Sequence, residues 1–169
     1  MTQACAGMEL ILWRHADAGD SVADPQADLD RHLTDRGRRQ AARVARWLQS
    51  RLPERCLVLS SPAPRARETA DALALKVRLD ERLLPGASGA DVLDVAGWPG
   101  HEASEGRHRH VLIVGHQPSL GEAFSLALGA AQAPQRWTVR KGSLVWLVSR
   151  ASDHESPVFL RAAIGPDLA

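Results

Sequence analysis

Three short apolar runs constrain this chain most: MELILWR at 8–14, CLVLS at 56–60 and HVLIV at 110–114. Each has the length of a strand and reads as a buried one. Between them lie segments of helical period. Thr34 suits an N-cap for a helix over about 35–51, where Ala41, Val44, Ala45, Leu48 and Leu52 recur at helical spacing before Pro53 stops it. Residues 17–32 are polar and Asp-rich and read as a loop. Ser61-Pro62-Ala63-Pro64 reads as a turn, followed by a helix over 65–75 and a short strand near 77–79. The Gly-rich stretch 85–107 is expected to be loop around a short helix near 90–96, and a further helix follows Pro118 at about 119–128. Residues 136–140 and 143–149 suggest two strands turning at Lys141-Gly142, with a last strand near 158–163. Strands alternating with helices predict an α/β fold. The late strand pair adds an antiparallel edge to a mostly parallel central sheet, giving a three-layer α/β/α sandwich.

A length of 169 residues fits one domain, expected over 8–169. Residues 1–7 look structureless ahead of Met8, which suggests a loose N-terminal extension or Met8 as the natural start. A net charge of +1 gives no support to nucleic-acid or membrane binding driven by bulk charge. Cys5 and Cys56 form no CxxC or zinc-ligand pair, which fits a reducing compartment. No apolar run approaches the roughly 20 residues of a membrane span. A cytoplasmic protein is the expectation.

Ligands of open α/β sheets bind beyond the carboxyl ends of the strands. Run 8–14 ends in Arg14-His15, run 56–60 leads through Ser61-Pro62 to Arg65, and run 110–114 ends in Gly115-His116. Two arginines and two histidines are thus expected on one rim. Arginine presents a permanent charge in a planar fork that matches phosphate oxygens. A neutral imidazole is a competent nucleophile near pH 7. Together they suit phosphoryl transfer, in which the protein positions the group and neutralises charge on its oxygens.

At these residues the chain resembles a known family. Arg14-His15-Ala16 is similar to the Arg-His-Gly signature of the histidine phosphatase superfamily, the phosphoglycerate mutase-like fold, with Ala16 in place of glycine. Leu33-Thr34-Asp35-Arg36-Gly37-Arg38-Arg39-Gln40-Ala41 resembles its LTxxGxxQA segment. Ser60-Ser61-Pro62-Ala63-Pro64-Arg65-Ala66-Arg67-Glu68-Thr69-Ala70 resembles its SSPxxRAxxTA segment, and Val114-Gly115-His116-Gln117-Pro118 its second-histidine segment. The short length and the Gly-His-Gln-Pro-Ser context are most similar to the SixA branch, the phosphohistidine phosphatases. The resemblance implies that His15 is phosphorylated, that Arg14, Arg65 and His116 hold phosphoryl oxygens, and that Thr34, Gly37 and Gln40 shape the pocket wall. It implies no cofactor and no metal. The family's proton donor is usually a carboxylate between the second arginine and the second histidine. Asp80, Glu81 and Asp91 are the candidates, with Asp17 as an outsider, and none lies in a compelling motif.

An imidazole leaving group needs an acid much less than an alcohol does. The lack of a carboxylate in a compelling motif therefore favours phosphohistidine. Only 50 residues separate Arg65 from His116, which leaves little chain for a lid. The expected substrate is then a side chain displayed on another protein, such as a phosphohistidine domain of a signalling or phosphotransfer protein. A phosphoester phosphatase and an inactive phosphate-binding module are the alternatives. Other phosphatase chemistries lack their residues. Pro62 and Ile11 stand where a cysteine phosphatase needs arginine after Cys56 and Cys5, Asp28-Leu29-Asp30 is no DxDx[TV], and there is no Walker loop or GxSxG elbow. The arginine row at 36–46 reads as a solvated helix face, His101, His108 and His110 as solvated loop, and Trp13, Trp47, Trp98, Trp137 and Trp146 as packing residues. His32 and His154 carry no signal, and Cys56 reads as a core thiol.

Overall fold

The computed structural model describes residues 7–99, 109–129, 137–150 and 158–169. Six strands form one sheet: β1 (Glu9–Arg14), β2 (Cys56–Ser60), β3 (Val77–Leu79), β4 (His110–Gly115), β5 (Leu144–Ser149) and β6 (Val158–Ile164). The helices are α1 (Pro25–Leu29), α2 (Asp35–Gln49), α3 (Pro64–Asp71), α4 (Gly89–Ala96) and α5 (Ser119–Ala127), with one 3-10 turn at Glu81–Leu83. The sheet order is β3-β2-β4-β1-β5-β6. Strands β3, β2, β4 and β1 are parallel, and β5 pairs antiparallel with both β1 and β6 to complete the mixed sheet.

Side chains alternate across a strand, so a central strand serves two cores. In β1, Ile11 and Trp13 pack with Ala41, Val44 and Leu48 of α2 and Ala66 and Ala70 of α3. Leu10 and Leu12 point the other way, into a core with Val92 of α4 and Leu120, Ala123 and Phe124 of α5. The result is three layers. Burying each of these large side chains contributes roughly 1.5–3 kcal/mol.

Register matters more to the site than the layers do. Arg14 lies opposite Gly115, and Ser60 opposite Val114. The adjacent strands β2, β4 and β1 therefore finish level. The ladder continues one step past their ends, with His15 N–H donating to the Gly115 carbonyl and Ser61 N–H to that of Val114, each at 3.0 Å.

Several sequence expectations are corrected. The stretch 17–32 is not all loop: Asp24 caps α1 by accepting from Ala27 N–H, with Pro25 leading the helix. The helix expected over 65–75 runs from Pro64 to Asp71, and the chain turns through Ala74 at φ 55°. Residues 137–140 are not a strand. Their expected hairpin partner, β5, has both edges taken, by β1 and β6. Their polar groups are satisfied by side chains instead: Gln117 Nε2 donates to the Trp137 carbonyl at 2.6 Å, and Gln117 Oε1 accepts from Val139 N–H at 3.3 Å. Trp13 and Trp146 are buried as expected, whereas Trp137 is 48% exposed, edge-on to Phe124. Of the expected extension, residues 1–6 lie outside the described residues, while Gly7 packs against Ser149. His101, His108, His154 and Cys5 also lie outside them. His110 opens β4, its Nδ1 4.0 Å from Glu9, and burial pushes the Cys56 thiol up to about 12.

Candidate active site

The level strand ends bring His15, Arg14 and His116 together, and Arg65 follows on the first turn of α3. His15, Arg65 and His116 are only 5%, 3% and 3% exposed. The two imidazoles face each other at 5.2 Å between centroids, inclined by 53°.

The hydrogen bonds of His15 select its reactive nitrogen. Its Nδ1 donates to the Ala16 carbonyl at 2.8 Å, which fixes the proton there and leaves the Nε2 lone pair unengaged. Burial drives the His15 pKa down to about 3; the Ala16 carbonyl opposes that, and the charges of Arg65, Arg14 and Lys141 assist it. The ring is therefore neutral at pH 7. Ala16, at the glycine position, is fully buried, and its N–H donates to Thr69 Oγ1 at 3.0 Å.

His116 Nε2 lies 2.9 Å from Ser61 Oγ, which also accepts from Ala63 N–H at 3.3 Å. Ser61 is satisfied when its hydroxyl donates to Nε2. Nδ1 then carries the proton, and it is buried without a partner. Burial, then the neighbouring His15 and the arginines, push the His116 pKa down to about 2.

The two arginines share one pattern. Arg14 Nη1 donates to the Val139 carbonyl at 2.9 Å. Arg65 Nη1 donates to the carbonyls of Asp28 and Leu29 at 2.8 and 3.1 Å, with Nη2 3.8 Å from the Asp28 carboxylate. Each guanidinium is thus held by main-chain oxygen on Nη1. In each, the buried Nε has no hydrogen-bond partner. The edge formed by Nε and Nη2 is the one that accepts two oxygens of an oxyanion side by side.

Arg14 Nε, Arg65 Nε and His116 Nδ1 are three of the five buried polar side-chain atoms without a partner among the described residues. Each such donor costs about 1–3 kcal/mol if nothing binds it. Three such donors and one neutral histidine form a candidate anion site. Arg65 stands in the first turn of α3, where the helix dipole disfavours a cation unless an anion is bound.

The segment after His15 is clamped by the residues expected to form the pocket wall. Thr34 Oγ1 donates to Asp17 at 2.8 Å and accepts from Gly37 N–H at 3.0 Å, and Gln40 Oε1 accepts from Asp17 N–H at 3.0 Å. A Cβ on Gly37 would stand 2.0 Å from the Asp17 carbonyl oxygen, so this position admits only glycine. Thr34 and Gly37 thus act on the backbone beside His15. Gln40 also borders a cleft of about 920 Å³ that opens from Arg14 between Asp17, Trp137, Lys141 and Asp167. His15, Arg65 and His116 do not line that cleft; Arg14 is the residue shared between it and the anion site.

Three of the four candidate acids, Asp80, Asp91 and Asp17, are engaged elsewhere. The Asp80 carboxylate accepts from Arg82 Nη2 at 2.8 Å, which holds its pKa below the usual carboxylate range. Asp91 closes a capping box with Ser88, whose hydroxyl lowers its pKa. Asp17 is held by Thr34 and Lys141, which outweigh its partial burial and lower its pKa. Glu81 is exposed. Sequence reasoning missed Arg31, whose Nε donates to Asp28 at 2.9 Å and whose Nη1 donates to the Ala18 carbonyl at 2.8 Å. It also missed the carbonyls that hold Arg14 and Arg65. Any residue supplies a carbonyl, so no sequence signal marks them. Ser61 and Thr69 stood inside a recognised segment and could have been singled out. His32, read as carrying no signal, is paired with Glu68. Among the described residues no group of three or more His, Cys, Asp or Glu could hold a metal ion, and no helix is long and apolar enough to cross a membrane.

Residues 10–97 match the model of the histidine phosphatase superfamily, branch 1. An uncharacterised protein of Picosynechococcus sp. is 32% identical over 86% of this chain and 87% of its own length. Among solved structures, a candidate phosphohistidine phosphatase SixA from Nakamurella multipartitia superposes with TM-score 0.71 and 26% identity, covering 97% of this chain and 99% of that one. A mycobacterial glucosyl-3-phosphoglycerate phosphatase superposes with TM-score 0.64 and 26% identity over 92% of this chain and 98% of that one. A buried neutral histidine among unpartnered arginine donors, on this sheet and with these relatives, makes the chain a member of the histidine phosphatase superfamily and a phosphatase by class.

Proposed function

We propose that this phosphatase removes the phosphoryl group from phosphohistidine on another protein, by way of a phosphohistidine on its own His15 and without a metal. The observation that carries the reading is the neutral His15 with Nε2 free, beside three buried donors that have no partner. Nε2 attacks phosphorus in line, the N–P bond of the substrate breaks, and the substrate imidazole leaves. Arg14, Arg65 and His116 Nδ1–H hold the equatorial oxygens and take up their charge, which is the main task in phosphoryl transfer. Water then cleaves the N–P bond on His15, releasing inorganic phosphate. The engagement of Asp80 and Asp91 by Arg82 and Ser88 supports a leaving group that needs little acid help. Likeness to the SixA structure supports the same substrate class.

The test is transfer of labelled phosphate from a phosphohistidine protein, quenched in base. Label is expected on the wild type and on His32→Ala, and absent from His15→Ala. Label persisting on His15→Ala would overturn the assignment.

One observation favours a phosphoester reading. Glu81 follows β3 on the same rim, and no hydrogen bond or ion pair engages its carboxylate among the described residues. If that reading holds, Glu81→Gln lowers turnover of a phosphoserine peptide at least tenfold and leaves phosphohistidine turnover alone.

A further inference from the structure

Helix α2 has the sequence DRGRRQAARVARWLQ, with five arginines and a single acid. Arg36, Arg39, Arg43 and Arg46 are all exposed and recur at intervals of three and four, which stacks them in one stripe. Among the described residues Arg36, Arg39 and Arg46 have no ion pair within 4 Å, and Arg43 reaches only the Pro166 carbonyl at 3.2 Å. A solvated helix face ordinarily interleaves acids with bases, because like charges at this spacing repel. Arg36 also sits in the first turn, where the helix dipole disfavours a cation. Arg36 and Arg39 act at longer range on Asp17 and Asp35, while Arg43 and Arg46 have no ion pair among the described residues, so local pairing does not account for the whole stripe. The chain as a whole carries only +1, so the charge is gathered on this face.

The stripe is placed with respect to the site. Arg36 lines the cleft that opens from Arg14, and Arg140, also exposed and without an ion pair among the described residues, stands in the cleft's wall. From Arg36 to Arg46 the helix rises about 15 Å. A small phosphorylated metabolite cannot span that distance, whereas four or five residues of extended chain can, at about 3.3 Å each.

We infer that the arginine stripe of α2 is a docking track for an acidic polypeptide segment flanking the phosphorylated residue of the substrate. The inference rests on the proposed action upon phosphorylated proteins and adds the chemistry of the partner. Arginine stripe and acidic segment attract over a Debye length, which raises the encounter rate and makes turnover sensitive to salt.

The experiment uses the full chain and four synthetic peptides, carrying phosphohistidine or phosphoserine, each with glutamate-rich or lysine-rich flanks. Wild type is expected to show at least a tenfold higher kcat/KM for the glutamate-flanked member of a pair, falling as salt is raised. Arg39→Glu with Arg46→Glu should abolish that preference and leave hydrolysis of a small aryl phosphate within twofold. Both side chains are exposed on the helix, and a thermal melt of the variant checks that it folds. Preference seen only in the phosphoserine pair would support the track and refute the phosphohistidine reading. Equal turnover of both flanks, no turnover of any peptide, or a parallel loss on aryl phosphate would overturn the inference. So would loss of binding to phosphatidylserine vesicles with peptide preference unchanged, which would make the stripe a membrane surface.

Discussion

Two segments leave the same rim of the sheet and do opposite things with their polar residues. The segment after β1, residues 15–34, turns them inward. Asp17 is tied to Thr34 and Gln40, Arg31 to carbonyls of its own loop, and the last carbonyls of α1 to Arg65. The segment after β3, residues 80–91, turns them on itself. Asp80 caps the 3-10 turn and holds Arg82, and Asp91 completes the cap of α4. The first segment braces the candidate anion site; the second builds its own helices. A carboxylate near an active site is therefore no acid catalyst by position alone. What it is already bonded to decides.

The largest effect should follow from His15→Ala, on the first side of the comparison: a fall in kcat of at least about a thousandfold, read from phosphate release. Next come Arg14→Lys and Arg65→Lys. Each keeps the charge and loses the two-oxygen edge, and about a hundredfold fall in kcat/KM is expected. A change under threefold would mean that the unpartnered Nε atoms do not face the phosphoryl group. Gly37→Ala pushes the Asp17 backbone away from α2. A loss of about 1–3 kcal/mol in urea denaturation should accompany reduced turnover.

Acid should weaken the protein through its two site histidines. Their folded pKa values, about 3 and about 2, lie below the ordinary 6.5, so between these limits the unfolded chain binds more protons. Stability is then full above pH 6.5 and falls as pH is lowered toward 3. The urea midpoint should drop from pH 7 to pH 4.5, and the ring signals of both histidines should keep their neutral positions over that range in NMR. The smallest effect belongs to the second segment. Asp80→Asn and Asp91→Asn should leave phosphohistidine turnover within threefold. A tenfold fall with either would erase the contrast between the two segments.

The sequence reveals the elements whose signal is local. Apolar runs mark β1, β2 and β4, and Thr34 marks the start of α2, because burial and capping act over a few residues. Arg14, His15, Arg65 and His116 were legible because each directly ends a run or begins the helix after it. The short α1 was not, since five residues among aspartates carry no apolar stripe. The 137–140 segment was misread as a strand because alternation says nothing about which sheet edge is free. The engagement of Asp80 and Asp91 by neighbouring side chains is likewise a matter of rotamer and loop path.

Arg14 and Arg65 are each gripped by main-chain oxygen, at Val139 and at Asp28 and Leu29. A grip of this kind does not depend on the identity of the side chain at the gripping position. A change of apolar side chain at residue 29 or 139 therefore leaves in place the carbonyls that orient both arginines. Val139→Ile and Leu29→Met should pass unnoticed in any assay of turnover. A search for an invariant acidic partner to either arginine would overlook the parts of the chain that hold them.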